Sequence, residues 1–212
     1  MEIKWIAHAC FQITAGNVVI YTDPYEMPAG MPKATIILVS HDHFDHADEK
    51  CIASLKDDAT VVVCPKSCLG KFSRFRPRGM EPGDTMDLGS VKLQAVPAYT
   101  FPGKPFHPKA NKWNGYVAEI QGKKVYHAGD CDIMDDMKAL AAMAIDVAML
   151  PVGNKGFTMD FNDAAKATGY IKPKIMVPMH DWDQDLAPLV KLVAKEAPGV
   201  KVEILKGRTL TL

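Results

Sequence analysis

Neither a membrane-crossing run nor a charge of one sign is present in this chain. No apolar stretch approaches the roughly 20 residues that span a bilayer, so no membrane association is expected. The N-terminal segment MEIKWIAHACFQITAG breaks its apolar residues with Lys4, His8 and Gln12, which argues against a secretory leader. Lys plus Arg and Asp plus Glu stand at 25 each, so no long-range field favours nucleic acid or an anionic membrane. Cysteine is scarce and odd in number: Cys10, Cys51, Cys64, Cys68 and Cys131 are scattered through a chain too long to need staples. Free thiols in a reducing compartment, and hence a cytoplasmic protein, are expected. Cys64 and Cys68 are the one close pair, and no second pair follows at zinc-site spacing, so two half-buried thiols are a better reading than a structural zinc.

What the chain does have is enough apolar content, 48% over 212 residues, to bury a large core. EIKWIA, CFQIT and NVVIYTD read as three short strands, with a turn at Ala15-Gly16-Asn17. The apolar run TIILV (35–39) predicts a buried strand, and ADEKCIASLKD a helix with Asp48 and Glu49 at its favoured acidic end. TVVVCP continues as a strand, PKSCLGKF as a short helix, and EPGDTMDLGSVKLQAVPA as a turn with one or two strands. The segment YTFPGKPFHPKANKWN, rich in proline and lysine and without periodicity, is a loop of the length that usually serves function. GYVAEIQGKKVYHAGD then gives a hairpin. Helices near MDDMKALAAM, DFNDAAKATGYI and QDLAPLVKLVAKEA alternate with strands DVAMLPV and KIMVPMH, and VKVEIL and TLTL close the chain. Hairpins first and alternation later predict an α+β arrangement in the order helix, sheet, sheet, helix.

Between the run TIILV and the first helix stands SHDHFDHAD (40–48), which holds three of the seven histidines. His41 and His43, one residue apart, can reach one ion from a turn beyond a strand; Asp45 and His46 follow and can face a second. Imidazole and carboxylate are the nitrogen and oxygen donors of catalytic zinc sites, which keep a position open for water. A solvated polar turn is the bland alternative, and four ligand-type side chains directly behind a buried strand make it the weaker one.

The pattern His41-x-His43-x-Asp45-His46 resembles the signature of the metallo-β-lactamase-fold superfamily; IAHACFQIT and YTDPY resemble the start of its small metal-dependent hydrolases, including the ascorbate-phosphate lactonase group, and HAGDCD, PVGNKGFTM and VPMH resemble their later elements. The resemblance covers nearly the whole chain. It implies one domain over residues 1–212 with a four-layer αββα fold, two mixed sheets packed face to face with helices outside. It also implies two divalent ions: His41, His43 and His107 on the first, Asp45, His46 and His180 on the second, and Asp130 shared. The departure lies at His107, since many relatives place that histidine directly after the preceding strand, where this chain has Ala98 and Tyr99. Histidine at the second ligand position resembles the zinc hydrolases, whereas the diiron flavoproteins have glutamate there; zinc is expected first, with iron or manganese as alternatives.

His8, at the family's Ala-His position, is read as orienting a ligand from behind or facing the substrate, against a packed core imidazole. His127 lies on the strand before Asp130, and alternation turns it away from that aspartate toward a structural role. Asp23 and Asp132 are candidates for holding ligands from behind, and Cys131 is read as a buried thiol. Lys104, Lys109, Lys112 and Trp113 in the long loop can bind an anionic group, although a solvated loop is commoner. Met159, Asp160, Phe161, Asp181 and Trp182 are expected at the rim. The resemblance implies hydrolysis by a metal-activated hydroxide, with Asp45 and Asp130 in the catalytic machinery, on a small-molecule ester, lactone or phosphodiester. A nuclease-type phosphodiesterase is disfavoured by the neutral charge, and a metal-stabilised binding or sensing protein remains the non-enzyme alternative. A small-molecule substrate is the expected partner, and a homo-oligomer is left open.

Overall fold

Alternating apolar residues at the start of the chain need a strand with unlike faces. In the computed structural model, which describes residues 1–154 and 156–212, they form β1 (Glu2–Ala7), β2 (Cys10–Ala15) and β3 (Val18–Thr22), followed by β4 (Ile36–Leu38), β5 (Val61–Pro65) and β6 (Arg78–Met80). The second half supplies β7 (Thr85–Asp87), β8 (Val91–Pro97), β9 (Asn114–Ile120), β10 (Lys123–His127), β11 (Val147–Pro151), β12 (Ile175–Met179) and β13 (Lys201–Val202). The last strand, β14 (Thr209–Thr211), returns to the first sheet beside β1. Two seven-stranded mixed sheets result, ordered β14-β1-β2-β3-β4-β5-β6 and β13-β12-β11-β10-β9-β8-β7.

Strand parity assigns the layers. Ile20, Ile36, Leu38 and Val63 join the main core with residues of the second sheet such as Leu93, Tyr116 and Val125. Their neighbours Tyr21, Ile37, Val62 and Cys64 point the other way, into a smaller core with Ile52 and Leu55 of helix α1 (Glu49–Leu55). With both faces covered, β4 and β5 read as continuous apolar runs. Helices α2 (Phe161–Ile171) and α3 (Ala187–Glu196) add Ala164, Ala165, Ile171, Leu189 and Val193 to the main core. The four-layer expectation is met.

Three local readings change. Strand β6 was absent from the sequence reading; it is three residues long and centred on Gly79, where a Cβ would come within 2.9 Å of Leu69. The strand expected over 35–39 narrows to Ile36–Leu38, with Val39 still buried beyond it. The segment MDDMKALAAM is a 3-10 helix over Asp135–Met143. Its apolar residues Met134, Met137, Leu140 and Met143 recur every third position, which puts them on one line only when the turn holds three residues. No helix among the described residues is long and apolar enough to cross a membrane.

Candidate metal centre

The C-terminal ends of β3, β4, β10 and β12 meet where the sheets are stitched together by backbone bonds, Asn114 N to Ser40 O at 3.1 Å and His180 N to His8 O at 3.1 Å. Close approach here demands small residues. Gly129 sits at φ 63°, where a Cβ would lie 2.9 Å from that of Ser40, and a Cβ on Gly153 would meet His180 O at 2.3 Å.

After β4 the chain turns on itself, with His46 N and Ala47 N both bonded to His43 O, at 3.1 and 3.0 Å, before Asp48 caps α1 through Lys50 N and Cys51 N. The turn brings His41 and His43 together, Nε2 to Nδ1 at 3.1 Å. His41 and His46 are oriented from behind. Ser40 Oγ lies 2.9 Å from His41 Nδ1 and donates to Asp23 Oδ2 at 2.6 Å, while His46 Nδ1 meets the same oxygen at 2.8 Å. Asp23 also accepts Ser40 N at 2.7 Å. This buried carboxylate therefore fixes the ring of His46 so that Nε2 faces the cleft.

Two donor groups converge. His41, His43 and His107 form one, and His8, Asp45, His46 and His180 the other, with the candidate atoms of each group within 4.8 Å of one another. Asp130 lies between them: its Oδ2 is 3.4 Å from His107 Nε2, 3.4 Å from His46 Nε2 and 3.1 Å from His180 Nε2. Several buried donors have no hydrogen-bond partner among the described residues: His46 Nε2, both ring nitrogens of His107, His180 Nδ1 and Asp130 Oδ1. Orphaned imidazole and carboxylate atoms this deep are expensive to bury unless something binds them. The donor set fits divalent metal of the zinc or iron class.

Electrostatics agrees with that use in the first donor group, whereas His46 would have to give up a proton to a metal. Burial, and then the neighbouring imidazoles, push His41 well below its ordinary value, lower His43, and bring His107 down to about 4, so these rings are neutral at pH 7, as ligands must be. Burial opposes charge on His46, but Asp130 and Asp23 outweigh it and raise that ring well above its ordinary value. Asp130 is held well below the usual carboxylate range, because His180 and His46 overcome its burial. Asp45 falls to about 2; burial raises it, but the contact with His8, at 3.4 Å, and the charge of His46 lower it more.

His107 reaches the site from the long loop between β8 and β9. Ala98 N bonds Trp113 O at the loop's base, and Thr100 N bonds His107 O at 2.9 Å. Asp132, fully buried, accepts from Phe101 N at 2.7 Å and from Lys104 Nζ at 2.5 Å. Lys104 is thus an anchor of the loop, not a group facing substrate, and Asp132 holds the loop, not an imidazole. Lys109 turns to Tyr99 and Lys112 to Glu81. Trp113 is buried behind the first group, its ring 4.9 Å from His41 and 5.1 Å from His43, so it is a wall and not a loop-tip contact.

His127 is structural, as alternation implies: Nε2 bonds Ala9 O at 2.9 Å and Nδ1 accepts Gly129 N at 3.2 Å. His8 projects from the tip of the β1–β2 hairpin at φ 49°, its ring centroid 3.8 Å from that of His180. Cys131 is buried, and burial pushes its thiol well up; Cys64 rises to about 12 and Cys68 to about 11 for the same reason. Of the expected rim, Trp182 alone lines the cleft. Met159 is in the core, Asp160 caps α2, Phe161 begins that helix, and Asp181 pairs with Lys206 at 2.9 Å. Residues the sequence did not single out are Ser40, which links Asp23 to His41, and Phe44, Phe106 and Phe157, which wall the cleft.

Comparison with known proteins places this arrangement. A family model described as a β-lactamase superfamily domain matches residues 2–180. A UPF0173 metal-dependent hydrolase of Alkaliphilus metalliredigens is 34% identical over 191 residues, 85% of each chain. A crystal structure from Parabacteroides distasonis, assigned as a metal-dependent hydrolase, superposes with TM-score 0.88 at 35% identity over 95% of this chain and 91% of that one. CmlA, a diiron β-hydroxylase from Streptomyces venezuelae, shares the fold at TM-score 0.80 and 16% identity, covering all of this chain and 54% of its own. The convergent histidines and carboxylates at the strand ends, and matches that run nearly the length of the chain, make it a member of the metallo-β-lactamase superfamily and, within it, of the metal-dependent hydrolases.

Proposed function

We propose that the protein is a binuclear metallohydrolase of a small-molecule ester, lactone or phosphodiester, with His41, His43 and His107 holding one ion, Asp45, His46 and His180 the other, and Asp130 shared by both. The observation that carries this reading is Asp130 Oδ2, within 3.4 Å of imidazole nitrogens from both donor groups. When bound, two divalent ions supply a nucleophilic water at neutral pH and polarise the scissile carbonyl or phosphoryl oxygen.

The chain's own residues do the rest. Asp23 and Ser40 keep the rings of His46 and His41 in register. Asp45, which lines the cleft and stays anionic above about pH 2, is placed to orient the attacking water and to hand its proton to the leaving group. His8, in contact with Asp45, fixes the direction of that carboxylate. Trp113 closes the back of the first donor group to solvent.

Zinc is the metal of this proposal. Elemental analysis of protein purified without chelator or added metal is the test. About two zinc ions per chain, lost together in Asp130→Ala, agree with the proposal. One ion or none after reloading overturns the binuclear assignment. Two irons would keep the binuclear assignment and replace zinc as its metal.

A further inference from the structure

Among the described residues, aromatic rings dominate the mouth of the site. The cleft, about 440 Å³, that exposes His43, Asp45, Asp130 and His180 is walled by Phe44, Phe106, Phe157 and Trp182. Phe44 is 74% exposed, Phe106 41% and Trp182 42%. Single exposed apolar residues are ordinary on a protein surface, but a cluster of aromatics around one cleft marks a binding surface. Two of the rings already pack on each other, Phe106 on Phe157 with centroids 4.2 Å apart and planes at 31°. Tyr25 supports Phe44 from behind at 6.1 Å.

Three lysines of the long loop are engaged elsewhere, Lys104 with Asp132, Lys109 with Tyr99 and Lys112 with Glu81. Among the described residues that line the cleft, none is lysine or arginine, and the outermost charges are the carboxylates Asp42 and Asp45. A flat apolar group would cover exposed ring surface.

We propose that this aromatic collar selects substrates with an aryl or similarly flat apolar group beside the scissile bond. The proposal rests on the hydrolase reading above, in which water adds across an acyl C–O bond to give an acid and an alcohol. A cleft of this volume falls in the range that holds a ring system with a small ester or lactone.

Two readouts test it. The first is binding of 2-acetylnaphthalene, a ketone that cannot be hydrolysed, to the metal-free protein by quenching of tryptophan fluorescence. The second is kcat/KM of zinc-loaded protein on phenyl-substituted and methyl-substituted lactones. The expected result is binding of the ketone and a preference for phenyl over methyl of roughly tenfold or more. Both the binding and the preference should collapse in Phe44→Ala/Phe106→Ala or, should that pair fail to fold, in Phe44→Leu/Phe106→Leu. A phenyl-to-methyl ratio that the variants leave unchanged overturns the proposal. Sedimentation showing that Phe44→Ala dissociates a dimer also overturns it, since the collar would then be an interface between copies. Ring-dependent binding without turnover of any lactone sinks the hydrolase reading and spares the collar. Turnover without ring preference does the reverse.

Discussion

The floor and the mouth of the cleft are built on different principles. On the floor, His41, His46, His107, Asp130 and His180 are buried, and His41 and His46 have a polar partner behind them. These side chains hang from strand ends or from a loop tied down at Thr100, and their positions are over-determined. At the mouth, Phe44, Phe106 and Trp182 stand in water and are supported mainly by one another and by a neighbouring ring. A floor of this kind suits chemistry that tolerates little displacement, while the mouth can change without disturbing it. The difference separates what the site does from what it does it to.

The sharpest way to break this contrast is at its centre. Asp130→Ala should remove metal from both donor groups and lower turnover on the order of a thousandfold or more; metal analysis and kinetics on the same preparation check this, and a variant that keeps two ions would sink the shared role. Next in size is a pH effect on the metal-free protein. His107 titrates at about 4 instead of 6.5, so folding favours its neutral form. Its contribution is complete above about pH 6.5 and is lost as pH falls through about 4, up to about 3 kcal/mol. The difference in urea stability between wild type and His107→Gln should therefore shrink across that window, and a flat difference would contradict it.

Asp23→Asn should keep the fold but let the His46 ring wander, weakening metal affinity by roughly 10–100-fold, read by competition with a chromogenic chelator. Lys104→Met strands the buried Asp132 with the Phe101 N–H bond but without its cation. A loss of about 1–2 kcal/mol is expected, along with lower occupancy of the ion held by His107, since the loop that carries it slackens. The smallest effect should come from the mouth: Phe44→Ala should change stability by less than about 0.5 kcal/mol, measured by denaturant midpoint. A larger loss would mean that the collar helps hold the floor, and the two regions are not independent.

The floor was legible in the sequence because its signal is local. Four donor side chains crowd behind one apolar run at His41–His46, and the resemblance extends the set to Asp130 and His180, which the fold brings to the same cleft. His107 was the harder choice, and the cluster it forms with His41 and His43 depends on the contacts of Thr100 and Asp132, which no spacing announces. The mouth was less legible for a related reason. The lysines of the long loop read as solvated or as anion binders, and their contacts with Asp132, Tyr99 and Glu81 follow from the fold alone. Phe44 and Phe106 carry no periodicity, because nothing packs on their outer faces. The helix at Asp135–Met143 was legible as a helix, and the period of three in Met134, Met137, Leu140 and Met143 accounts for its 3-10 form.

The seam at which the sheets meet has a further consequence for the life of the chain as a polymer. His41, His43, Asp45 and His46 come from the first half of the chain, while Asp130 and His180 come from the second. Each proposed ion would then act as a removable crosslink between distant segments, closing long loops in the unfolded chain in the manner of a disulfide. A protein whose five thiols are all free can gain such a tie without oxidation. Its resistance to unfolding would follow the metal supply of its surroundings, not their redox state.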